Sequence, residues 1–230
     1  LVNTADVTTT FGSFAFKDNV PKIDSIGVAR LRRAGGILIG KTTTPEFGHK
    51  PMTEAPLFGR TLNPWCNTLT SGGSSGGAAV AAASGLGPLH VGTDGGGSTR
   101  IPAAACGVVG MKQTLGRVPH DMTSDSFGCM SFIGPITRTV ADCGLMLQIM
   151  SGPHNSDVHS LGRRHPNLAR AATVVDGLKG LKIGWRCYLG NDQMEKETQK
   201  LFEAAIPVFS NLGADVSEHL ADFEPTLKYW

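Results

Sequence analysis

Charge is scarce in this chain. Only 17% of its 230 residues are Asp, Glu, Lys or Arg, against about 25% in an average globular protein. With 40% apolar residues beside it, that excludes an intrinsically disordered chain, which needs the opposite balance. The net charge is +2, and the basic clusters, Arg30-Leu-Arg32-Arg33 and Arg163-Arg164-His165, are short, so no direct nucleic-acid partner is expected. Aromatic residues make up 7%. No apolar run approaches the roughly 18 residues of a membrane span, and the first 20 residues lack a signal-peptide pattern. The five cysteines (Cys66, Cys106, Cys129, Cys143, Cys187) are widely spaced and contain no C-x-x-C. Reduced thiols in a cytoplasm are expected, not a disulfide framework or a zinc ribbon.

Glycine, by contrast, is abundant at 30 residues, and it is concentrated. Residues 71–110 hold twelve glycines, eight alanines and five serines, with Asp94 and Arg100 as the only charges. The pattern predicts a loop over 71–76, a helix over about 77–85, a strand over 88–92, a loop over 93–98 and a short helix over 99–106. Elsewhere, Pro21 and Asp24 open a helix that Gly35-Gly36 ends. Ile37-Leu-Ile-Gly40 reads as a buried strand, and 41–70 as a long irregular connection. Thr139 and Asp142 form a capping-box variant, with Val140, Cys143, Leu147 and Met150 on one face of the helix that follows. Residues 153–176 read as surface loop and 181–185 as a strand. Asp192 caps a helix to about Leu212, with Leu201, Ala205, Val208 and Leu212 as its buried face and Pro207 as a kink. A last strand covers about 214–218. Strands alternating with helices make the fold class α/β, a mixed central sheet covered by helices.

Three motifs mislead. Gly35-x4-Gly40-Lys41-Thr42 matches the phosphate loop, but its middle residues are themselves the predicted strand and Thr-Thr-Pro is a poor helix start. His154, His159 and His165 lie in a polar loop without the partners that orient metal-ligating histidines. Gly73-Ser-Ser75-Gly-Gly77 matches the nucleophile elbow of α/β-hydrolases, and an esterase using Ser75 is one alternative reading. The glycine-rich block has richer chemistry. Gly95, Gly96 and Gly97 lead directly into Ser98, so consecutive amides without Cβ obstruction can converge on an anion. A serine ending such a nest has an oxyanion hole beside it. It also needs a base, and neither Asp94 nor Arg100 fits that role.

The stretches Gly72-Gly-Ser-Ser-Gly-Gly77 and Gly92-Thr-Asp-Gly-Gly-Gly-Ser-Thr-Arg-Ile-Pro102 through Lys112 resemble the amidase signature family of serine hydrolases. Further similarity runs through Ala34–Gly48, Asn63-Pro-Trp65, Gly116-Arg-Val-Pro119 and Gly134–Asp142. The resemblance implies a Ser-cisSer-Lys arrangement. Ser98 is then the nucleophile and Ser74 the cis-serine. The amides of Gly95, Gly96, Gly97 and Ser98 form the oxyanion hole, and Ser75, Asp94 and Arg100 support it. It implies hydrolysis of a small-molecule carboxylic amide to an acid and ammonia or an amine, with no metal or organic cofactor. Thr99, His90 and Ala82 depart from the family pattern. The family's lysine precedes a segment matching Thr9-Thr-Phe-Gly-Ser13 by about ten residues, which puts it upstream of Leu1. Lys17-Asp18 imitates the motif on the wrong side of Gly12-Ser13, and Lys41 belongs to another stretch. The expectation is therefore one amidase-type domain over 1–230, truncated at both ends, with self-association through exposed edges. The alternatives are the amidotransferase component that amidates glutamyl-tRNA, which works with partner subunits, and a non-catalytic fragment.

Overall fold

The first expected helix forms. α1 (Ile26–Arg33) follows Ser25, closes at Ala34 and leaves through Gly35 at a φ of 91°. Arg30, Arg32 and Arg33 crowd its last turn, where the helix dipole favours cations. The computed structural model describes residues 1–121, 130–162, 166–173, 177–187 and 194–219. The chain divides into two compact units, 1–174 and 175–230.

In the first unit, the irregular stretch after α1 contains an antiparallel ribbon of β1 (Glu54–Ala55) and β2 (Gly59–Arg60). Next come α2 (Gly76–Ala83), β3 (Leu89–Asp94), α3 (Arg100–Cys106), β4 (Val109–Gly110), β5 (Phe132–Thr137), α4 (Val140–Met150) and α5 (Leu168–Ala171). The three strands pair antiparallel in the order β3-β5-β4, with Asp94 opposite Phe132 and His90 opposite Ile136. Along β3, His90, Gly92 and Asp94 are buried and alternate with more exposed residues, the period-two signature of a half-covered strand. α2 is buried on nearly all sides, which its run of alanines permits. A Cβ on Gly77 would lie 2.5 Å from the Thr43 amide nitrogen, so only glycine lets this helix approach so closely. Ala78, Ala79, Ala82, Cys106 and Ile136 form the apolar cluster between α2, α3 and β5. Val2, Val28, Val118, Ile133, Met146, Leu147 and Met150 form the larger one.

α4 carries the expected cap. The Thr139 hydroxyl accepts from the Asp142 amide at 3.0 Å and donates to the Asp142 carboxylate at 2.7 Å. At its other end, the Arg30 guanidinium donates to the carbonyls of Met150, Gly152 and Pro153 at 2.8, 3.0 and 2.9 Å. The Met150 carbonyl is one that the helix terminus leaves without a partner, and the other two follow it in the chain. Cys143, Leu147 and Met150 are buried as expected, but Val140, in the first turn, is 59% exposed.

The second unit contains β6 (Lys182–Trp185), α6 (Lys196–Asn211) and β7 (Asp215–Glu218), with β6 and β7 parallel. Glu195 precedes α6; the expected cap, Asp192, lies outside the described residues, as do Cys129 and Arg163-Arg164-His165. Pro207 sits inside the helix. α6 buries none of its residues, which corrects the expectation for Leu201, Ala205, Val208 and Leu212; Leu201 is 68% exposed. A two-stranded ribbon offers too little surface to cover a helix of 16 residues. A second correction concerns Ile37-Leu-Ile-Gly40. These residues pair with no strand among the described residues, and Ile37 and Ile39 stand 88% and 76% exposed. A β-rich sequence becomes a buried strand only where a neighbouring backbone and a covering layer exist. The fold is α/β, with helices over sheets and both senses of strand pairing.

Candidate active site

Both serine loops are built on β3. Ser75 ends the first loop and precedes α2. Its hydroxyl accepts from the Thr93 amide at 3.1 Å and donates to the Thr93 carbonyl at 3.2 Å, stitching the start of α2 to the strand. Its own amide donates to the Ser98 carbonyl at 3.1 Å. Two loops that are distant in sequence are thereby held edge to edge. Ser75 is 4% exposed and its hydroxyl is committed to the backbone, which argues against an esterase elbow centred on it.

The Gly73–Ser74 peptide bond is cis, at the position the resemblance assigns to it. Gly73 lies so close to the backbone of Met52 that a Cβ would sit 2.7 Å from the Met52 carbonyl carbon. Beside it, Thr53, 2% exposed, is a clamp that sequence reasoning missed. Its hydroxyl accepts from the Gly76 amide at 2.9 Å, and its proton faces the carbonyls of Gly72 and Ser74 at 2.9 and 3.3 Å. No local pattern marks Thr53, because its partners lie about 20 residues away. Ser74 is 1% exposed. Gly48, at a φ of 71°, leaves room beside it: a Cβ there would come within 3.4 Å of the Ser74 hydroxyl oxygen.

Asp94, at the end of β3, organises the second loop. It is 1% exposed. One carboxylate oxygen accepts from the Gly97 amide and Arg100 Nη2, both at 2.8 Å. The other accepts from the amides of Thr99 and Arg100, at 3.1 and 3.3 Å, and from Arg100 Nε at 2.9 Å. Burial pushes this carboxyl up, but the Arg100 guanidinium and the Thr99 and Gly97 amides outweigh it and hold the group below the usual carboxylate range. The Arg100 guanidinium is raised in turn by its bond to Asp94.

The loop thus turns its amides in two directions. The amide of Gly97, one of those expected in the oxyanion hole, donates to Asp94. The amides of Gly95, Gly96 and Ser98 make no hydrogen bond among the described residues. Gly95 and Gly96 are exposed and Ser98 is half-buried. Three surface amides preceding or belonging to an accessible serine can receive an anionic oxygen. Thr99, next in sequence, has a fully buried hydroxyl with no partner among the described residues.

Neither Lys17 nor Lys41 is bonded to Ser74. The Lys17 side chain is 61% exposed and pairs with Asp18 at 3.5 Å. The Lys41 amine donates to the Val2 carbonyl and to the Thr4 hydroxyl, the latter at 3.0 Å. Burial lowers it to about 8, against the upward pull of Asp24. Residues 36–45 have no regular structure, so Lys41-Thr42 does not open a helix. Among the misleading histidines, His154 bonds Ser156 at 2.8 Å and His165 is outside the described residues. No group of three His, Cys, Asp or Glu gathers among the described residues. No described helix is long and apolar enough to cross a membrane.

Comparison with known proteins gives one answer. The model of the Amidase family matches residues 1–228. An acylamidase from Rhodococcus erythropolis is 45% identical over 210 residues, covering 91% of this chain and 44% of the relative. A glutamyl-tRNA(Gln) amidotransferase subunit from Desulforapulum autotrophicum is 39% identical over 219 residues, covering 94% of this chain and 45% of the relative. Among solved structures, a bacterial aryl acylamidase of the amidase signature family superposes with a TM-score of 0.87 at 35% identity, over 96% of this chain and 45% of its own length. The corresponding amidotransferase subunit of Thermotoga maritima gives 0.83 at 31%, over 99% of this chain and 49% of its own. The chain therefore spans less than half the length of these relatives. Serine loops joined on one strand, an aspartate-held glycine turn and a family match over nearly every residue lead to one conclusion: this chain belongs to the amidase signature family.

Proposed function

We propose that the complete protein hydrolyses a small-molecule carboxylic amide to the acid and ammonia or an amine through a serine acyl-enzyme. Ser98 is the nucleophile. Ser74 takes its proton and passes it to a neutral lysine, which the resemblance expects upstream of Leu1. Lys17 and Lys41 are not assigned that role, since one is paired at the surface and the other tied to Val2 and Thr4. Ser98 Oγ bonds to the amide carbon, and the carbonyl oxygen, now an anion, is received by the amides of Gly95, Gly96 and Ser98. Gly97 contributes through Asp94, whose ion pair with Arg100 shapes the turn. When the C–N bond breaks, the relay returns the proton to the departing amine. Water, deprotonated by the same relay, then releases the acid and restores Ser98. The chemistry calls for no metal or organic cofactor. The thiols of Cys66, Cys106, Cys143 and Cys187 are free, in keeping with a cytoplasmic protein.

The observation that carries this reading is the Ser75 amide on the Ser98 carbonyl. It joins the loop of the buried Ser74 to the loop of Ser98, in which the amides of Gly95, Gly96 and Ser98 make no hydrogen bond among the described residues. A fluorophosphonate probe should label the peptide containing Ser98, and Ser98→Ala should abolish both labelling and turnover. Labelling of Ser75, or normal turnover in Ser98→Ala, overturns the assignment. A second reading, a component of a glutamyl-tRNA amidotransferase, is favoured by relatives of that kind at 35–40% identity. It predicts partner subunits that copurify and ammonia release from glutamine, whereas a free-standing amidase acts alone.

A further inference from the structure

β5 begins beside the Ser98 loop. Phe132 pairs with Asp94, and the Met130 carbonyl oxygen lies 3.1 Å from where a side chain on Gly95 would start. On its other side, this strand start borders a polar cavity of about 20 Å³, lined by Gln113, His120, Ser131 and Asp157 among others. The walls are tied together. His120 Nε2 and the Ser131 hydroxyl are 2.9 Å apart. The amides of His120 and His159 donate to the two oxygens of the Asp157 carboxylate at 3.0 and 2.9 Å.

Gln113 also lines this cavity. It is 2% exposed, and its Nε2 donates to the Ile133 carbonyl at 3.0 Å. That bond fixes the amide's orientation, because a flip would set two carbonyl oxygens against each other. Its Oε1 is fully buried and has no partner among the described residues. A buried acceptor left unmet is costly and rare in native proteins. A cavity needs only about 10–15 Å³, with two to four polar neighbours, to hold a water. This one has that room and that lining.

We propose that the cavity binds one ordered water that donates to Gln113 Oε1, and that Gln113 is thereby a positioning residue for the loop of Ser98. Water linking Gln113 to Ser131 or Asp157 makes one array of the 113–120 segment, the Asp157 turn and the first residues of β5. That array holds Met130 against Gly95 and the register of Phe132 on Asp94. The positioning role rests on Ser98 being the nucleophile; the water site does not.

The test is a crystal structure of the complete protein at about 1.5 Å or better, with kcat and KM for wild type, Gln113→Met and Ser131→Ala. The expected result is a water within about 3.2 Å of Gln113 Oε1. Both variants should lower kcat by about tenfold while KM stays within about twofold, the signature of an interaction felt in the transition state alone. A cavity without that water, or a protein group on Gln113 Oε1, overturns the site. Unchanged kcat in the folded variants overturns the positioning role; should Gln113→Met not fold, Ser131→Ala decides it. Turnover that survives Ser98→Ala, with the water in place, refutes the nucleophile assignment and leaves the water site standing.

Discussion

Asp94→Asn should destabilise the protein by about 2–4 kcal/mol, and the figure follows from the geometry of the five donors around the carboxylate. An amide keeps one acceptor oxygen and turns an NH2 group toward the other donors. In the better orientation, the oxygen faces the amides of Thr99 and Arg100 and Arg100 Nε. The NH2 group then faces the Gly97 amide and Arg100 Nη2. The guanidinium, 52% exposed, can turn to water, so its loss counts for little. The Gly97 amide cannot, because Gly97 is buried. A buried donor without an acceptor costs about 1–3 kcal/mol. Neutralising the acceptor weakens each remaining charge-assisted bond, adding about 1 kcal/mol more. Urea unfolding of the complete protein should show the midpoint falling at constant slope. Fluorophosphonate labelling of Ser98 should slow more than about tenfold as the turn relaxes. A loss below about 0.5 kcal/mol, with labelling unchanged, would refute the claim that Asp94 holds this loop.

The same carboxylate sets a pH dependence. Its folded value lies below its unfolded one, so its stabilisation is complete above the ordinary carboxylate pKa of about 4 and is lost as pH falls through the lower folded value. Acid titration of stability should therefore be shallower in Asp94→Asn than in wild type. Ser74→Ala should lower turnover by roughly 10²–10⁴-fold with little change in substrate affinity, read by steady-state kinetics; a KM effect alone would make Ser74 a binding residue. Gly73→Ala should lose soluble protein, because its Cβ would lie 2.7 Å from the Met52 backbone; normal expression and Tm would show that the loop yields. Thr99→Val should raise stability slightly or leave it unchanged, since it removes a buried hydroxyl without a partner among the described residues; a loss of about 1 kcal/mol or more in denaturant unfolding would reveal a hidden partner.

Much of the local structure that carries the candidate site was legible because its determinants are local. Glycine runs mark turns whatever surrounds them, and alanine after them marks a helix that neighbours can approach. The cap on α4 was readable from Thr139 and Asp142 because both partners lie within one turn. The order of loop, α2, β3, loop and α3 followed from the same local preferences. Which way an amide points was not legible. Gly97 reads like Gly95 and Gly96 in sequence, yet its donor is taken by Asp94, since a fixed carboxylate three residues back selects one amide of the turn. Thr53 and Gln113 were invisible for another reason: the groups they bond arrive from distant segments. The apolar stretch Ile37–Ile39 and the face of α6 show the limit of periodicity. A pattern states what a segment can bury, but burial needs a second surface, and tertiary structure alone supplies it.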